Sequence, residues 1–69
     1  MTPTEKAMQY AQGHLQAVRI CWLDRQPIVC GAVEAVTLCS DYCVSGQIVG
    51  VVAQDKKLEG MLHRLLDDE

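Results

Sequence analysis

From Ile28 to Gln54 the chain carries no Lys or Arg, and its charges are Glu34 and Asp41 alone. A stretch so poor in charge has to be buried on at least one side. β-branched residues crowd it, and Ser40-Asp41-Tyr42 near its middle has turn chemistry. The pattern predicts a β-hairpin with strands over Ile28–Cys39 and Cys43–Gln54. Pairing Cys39 with Cys43 sorts the side chains into two faces. One carries Ile28, Cys30, Ala32, Glu34, Val36 and Leu38 opposite Gln54, Val52, Gly50, Ile48, Gly46 and Val44. It is the more apolar face and is expected to meet helices. The other still holds Val29, Val33, Val49 and Val51. Val29, Ala32, Val33 and Val36 also fit one face of a helix, so an all-helical chain is the competing outcome.

The flanks read as helices. Thr2-Pro3-Thr4-Glu5 has the order of a capping box with proline at the first helical position. Ala7, Ala11, Leu15, Val18 and Trp22 follow at steps of three and four, which predicts a helix over Pro3–Asp24 with Gly13 as its weak point. Val18, Ile20 and Trp22 also alternate, so a strand over Ala17–Leu23 is the second reading. At the other end Asp55 is a candidate N-cap. Leu58, Met61, Leu62, Leu65 and Leu66 form the stripe of a helix over Asp55–Asp68. Its charges oppose the helix dipole, with Lys56 and Lys57 at the start and Asp67, Asp68 and Glu69 at the end.

These elements define a small α+β fold, one domain over residues 1–69, in the order α-β-β-α around the hairpin. The expected core is Leu15, Trp22, Val36, Ile48, Leu58, Leu62 and Leu65. With 69 residues, 49% of them hydrophobic, the chain folds but buries only about 60% of its unfolded surface. Small domains close that deficit with disulfides, a metal or a second chain. A homodimer covering Val29, Val33, Val49 and Val51, or joining sheet edges, is expected here.

Composition excludes several classes. Six basic against nine acidic residues give a net charge of −3, and only Lys56-Lys57 adjoin, too sparse for a general nucleic-acid footprint. No apolar run reaches the roughly 18 residues of a membrane span. The first twenty residues, with Glu5, Lys6, Gln9, Gln12 and His14 among them, hold no apolar signal-peptide core, so the expected location is cytoplasmic. Cys21, Cys30, Cys39 and Cys43 then read as buried free thiols.

Reactive constellations are weak. No cysteine adjoins a His, Lys or Arg that would activate it, although Arg19 is two residues from Cys21. Glu34, read as facing the core, is the one carboxylate placed for acid–base work, and Arg19 or Arg25 could neutralise it instead. Cys39-x3-Cys43 has a spacing zinc can use, with His14 or Cys30 as further ligands, but no matching second pair exists. Gly46-Gln47-Ile48-Val49-Gly50 lacks the Lys-Ser/Thr of a phosphate loop. The chain is therefore expected to be no enzyme, with no cofactor and no metal.

What remains is protein recognition. The sequence reads as a non-catalytic interaction module, a small dimeric regulator or inhibitor that masks a surface of another protein. In size and composition it has the look of a mobile-element accessory protein. A small dimeric transcription factor or nucleic-acid-binding regulator and a zinc-stabilised interaction module are the alternatives. Interface anchors tend to be aromatic or Arg, so Tyr10, Arg25, Gln26, Asp41 and Tyr42 are the expected partner-binding residues, Tyr42 at the hairpin tip.

Overall fold

The computed structural model describes residues 2–43 and 45–67. The elements are α1 (Pro3–Gly13), β1 (Ala17–Trp22), β2 (Ile28–Gly31), α2 (Ala32–Tyr42), β3 (Ile48–Ala53) and α3 (Lys56–Asp67). The α+β class holds. The expected order α-β-β-α becomes α-β-β-α-β-α: the two spans of the expected hairpin contribute β2 and β3, which flank β1 and do not pair with each other. The expectations for Val44, Asp68 and Glu69 lie outside the described residues.

The first helix is shorter than its stripe. It opens on the capping box, with Glu5 N–H donating to Thr2 Oγ1 and Thr2 N–H to Glu5 Oε1, both at 3.1 Å. It closes at Gly13, where His14 is the C-cap. The Gln16 amide donates to the His14 carbonyl, and the chain turns into β1. The single helix over Pro3–Asp24 is thus corrected to a helix and a strand. Val18 and Trp22 obey both periods, Ile20 obeys the strand period alone, and β-branching at Val18 and Ile20 favours the strand. Leu15 falls in the connection and is 74% exposed, which removes it from the expected core.

The strand over Ile28–Cys39 is also corrected. It ends at Gly31, and α2 begins at once. As a strand, the segment would put Glu34 among apolar side chains. As a helix it buries Ala32, Ala35, Val36 and Cys39 on one face. Glu34 then sits exposed in the first turn, where the helix dipole favours a carboxylate. Cys39 and Cys43 are therefore one helical turn apart, not opposite each other on strands. The second strand shortens to Ile48–Ala53 after a turn in which Gly46 has φ +71°, a left-handed conformation that suits glycine.

The sheet is antiparallel with order β2-β1-β3. Val18 lies between Cys30 and Ala53, Arg19 between Val29 and Val52, and Ile20 between Ile28 and Val51. A bulge separates the pairs Cys21–Gly50 and Trp22–Ile48. Val18, Ile20, Trp22, Ile48, Val51 and Ala53 point into the core. There α2 lies on β1 and β2, α3 on β3, and α1 against both helices. The buried residues of α1, Ala7 and Ala11, and two of those of α2, Ala32 and Ala35, are small. Leu58, Leu62 and Leu65 seal the α3 side.

Candidate interaction surface

Among the described residues no helix covers one face of the sheet. Arg19 and Cys21 alternate with the buried residues of β1, and the N–H of Leu23 donates to the Gln47 carbonyl at 2.7 Å, carrying the same pairing one residue past the bulge. Across from them lie Val29 on β2 and Val49 and Val52 on β3. Leu23 is 72% exposed, Val29 63%, Val49 60% and Val52 55%. Scattered apolar surface residues need no explanation, but a contiguous set on one sheet face does. Arg19 is the charged residue of this set. Among the described residues it makes no ion pair and no side-chain hydrogen bond.

The two sheet edges differ. On β3, Ala53 N–H donates to Glu59 Oε1 at 3.0 Å, and His63 Nε2–H donates to the Val51 carbonyl at 2.9 Å. Residues one turn apart on α3 thus occupy the outer edge of β3, and the Ala53 N–H holds the Glu59 carboxyl below its usual range. Residues 51 and 53 point their backbone groups away from β1, so Val52 and Gly50 point theirs toward it. By alternation Val18 and Ile20 face β2, and Val29 and Gly31 turn their backbone groups to the outer edge of β2. Among the described residues no side chain bonds that edge.

The residues expected to bind a partner are divided between two places. Tyr42 is not at a hairpin tip: it ends α2 and packs edge-on against Trp22, with ring centroids 5.1 Å apart. The Arg25 guanidinium lies 4.6 Å from the Trp22 ring centroid and meets Asp24 at 3.3 Å. The indole Nε1–H of Trp22 is buried without a hydrogen-bond partner among the described residues. Gln26 and Asp41 are exposed.

Tyr10 belongs to a different cluster. Its hydroxyl donates to Asp55 Oδ2 and its ring stacks on His14 at 3.9 Å. Asp55 caps α3 by accepting from Lys57 N–H at 2.9 Å, while its own N–H donates to the Gln16 amide oxygen at 2.8 Å. One carboxylate therefore ties α1, the α1–β1 connection and α3 together. The Tyr10 bond raises the phenol pKa and lowers that of Asp55. His14, Leu15, Gln16, Gln54 and Asp55 line a shallow, open depression beside it.

The four cysteines are free. Burial pushes the Cys39 thiol up to about 12. Burial first, and then the Glu34 charge, raises Cys30. Among the described residues no three metal-ligating side chains converge, and no helix is long and apolar enough to cross a membrane. Glu34, once read as a core carboxylate, is exposed and makes no ion pair among the described residues.

Sequence reasoning missed Arg19, Leu23 and Val52 as surface candidates. The alternation of β1 contained the signal: once Val18, Ile20 and Trp22 point inward, Arg19, Cys21 and Leu23 must point outward. The sequence matches no family model, and comparison with curated proteins and with solved structures gives no match.

Proposed function

We propose that this chain is a non-catalytic protein–protein interaction module, a small regulator or inhibitor that masks a surface of another protein with the open face of its sheet. The observation that carries the reading is the exposed set Leu23, Val29, Val49 and Val52 around Arg19. Burying a valine or leucine contributes about 1.5–3 kcal/mol. A guanidinium inside an apolar contact needs an opposite charge, because an unpaired charge taken out of water is costly. The fitting partner is a protein with an apolar ridge and one Asp or Glu placed to meet Arg19. Arg is also the cation best suited to such a pair, since its planar fork binds a carboxylate through two hydrogen bonds.

The test compares capture from nuclease-treated lysate by the natural chain, Arg19→Glu and Val52→Lys, each checked for folding by circular dichroism. A protein retained by the natural chain and lost from both variants supports the reading. Retention of the same proteins by all three rejects this face. Loss of all captured material on nuclease treatment points to nucleic acid instead.

A further inference from the structure

The geometry points to a homodimer in which β2 of one copy pairs antiparallel with β2 of a second, joining two three-stranded sheets into one of six strands. The inference rests on the asymmetry of the two edges, not on the open face. Edge strands with unpaired N–H and C=O groups are templates for another strand, and folds commonly block them. Here Glu59 and His63 occupy the β3 edge, leaving Val29 N–H and C=O directed outward on β2. A two-fold operator brings the same strand to itself, so Val29 of each copy exchanges both backbone bonds with Val29 of the other.

Charge supports a second copy as the occupant. Ile28–Gly31 carries no charge, so the strands meet without repulsion. Antiparallel pairing sets the residues before β2 in one copy beside those after β2 in the other. The former include Arg25 and the latter include Glu34. Arg25 stacks over the inward-facing Trp22, and Glu34 lies close enough to Cys30 to raise its thiol pKa. Both charges therefore sit on the helix side of the sheet, and each copy supplies one half of each of two reciprocal ion pairs. Glu34 makes no ion pair within its own chain among the described residues.

Sedimentation equilibrium of the full chain tests this. The natural chain is expected at twice the chain mass at about 100 μM, an ordinary range for a modest association. Val29→Pro removes an N–H that the sheet itself does not use, a position where an edge strand tolerates proline. It should raise the dimer dissociation constant at least about tenfold while the dichroism spectrum stays unchanged. Val52→Lys, on the open face, should change it less than about threefold. A natural chain that is monomeric at about 100 μM, a Val29→Pro chain that associates as before, or dissociation caused by Val52→Lys would each overturn the inference. Should Val29→Pro fail to fold, the charges decide. Glu34→Arg should weaken the dimer and Arg25→Glu/Glu34→Arg should restore it, whereas both behaving as the natural chain would overturn the pairing.

Discussion

Glu59 and His63 stand one turn apart on α3 and bind two backbone groups of the same strand, the Ala53 N–H and the Val51 carbonyl. One accepts and the other donates, so the helix presents the complement of the hydrogen bonds a fourth strand would make. This pair keeps β3 closed to other chains. Glu59→Ala leaves the Ala53 N–H, on a residue 4% exposed, without its acceptor. The variant is expected to unfold at lower urea concentration. It should also exchange the Ala53 amide faster, as followed by hydrogen-exchange NMR, while Lys56→Ala leaves that amide unchanged.

The pH dependence follows from three carboxylates and a phenol. Glu59, Asp55 and Glu5 are held below their ordinary values by hydrogen bonds from the Ala53 N–H, the Tyr10 hydroxyl and the Thr2 N–H. Groups lowered by folding contribute stability above their unfolded values of 4.5, 3.8 and 4.5, and lose it as pH falls through the folded ones. Tyr10 is raised above 10.0, so its contribution is complete below that pH and lost as pH rises through the folded value. Thermal melts should show a plateau between these limbs. Glu59→Gln should make the acid limb shallower, and Tyr10→Phe should remove part of both.

Two leucines with the same composition should behave oppositely. Leu62 is fully buried and Leu15 is 74% exposed. Leu62→Ala is expected to cost about 2–5 kcal/mol in urea unfolding, and Leu15→Gln to stay within about 0.5 kcal/mol. A large loss at Leu15 would mean that the α1–β1 connection is covered.

Thiol chemistry should separate the cysteines. Cys39 is fully buried with its thiol pushed up to about 12, whereas Cys21, Cys30 and Cys43 are half-buried. In native buffer three thiols should react with a disulfide reagent before the fourth. Cys39→Ser should abolish the slow phase alone. Full reaction at one rate would place Cys39 nearer solvent.

Much of this fold was legible where a pattern had one solution. The capping box at Thr2 and Glu5, the Asp55 cap and the α3 leucines could be read directly, because each signal is local and nothing competes with it. Ala17–Trp22 was harder, since Val18 and Trp22 satisfy a helical and a strand period together. The break at Gly13–His14 and the β-branching of Val18 and Ile20 decide for the strand. Ala32–Tyr42 misled because Val33, Val36 and Thr37 favour strands, while the gain from packing alanines against α1 is tertiary and leaves no local mark. The open face was lost with those spans. Once Val33 lies in α2, the apolar set regroups around Arg19. Tyr10 and Tyr42 looked free because their internal partners, Asp55 and Trp22, come from other elements.

The central position of β1 bears on the order in which the molecule assembles. Its pairing with β2 closes a short loop, whereas its pairing with β3 waits for the whole of α2 to be made. Closing the longer loop costs more chain entropy and comes later. During folding, therefore, a hairpin that closes before α2 is made leaves the second edge of β1 bare. Val18 and Ile20 then lack the cover of Val51 and Ala53. That interval, before Ile48–Ala53 pairs with β1, is when the polypeptide is most open to capture by a chaperone or by a neighbouring copy's unpaired strand.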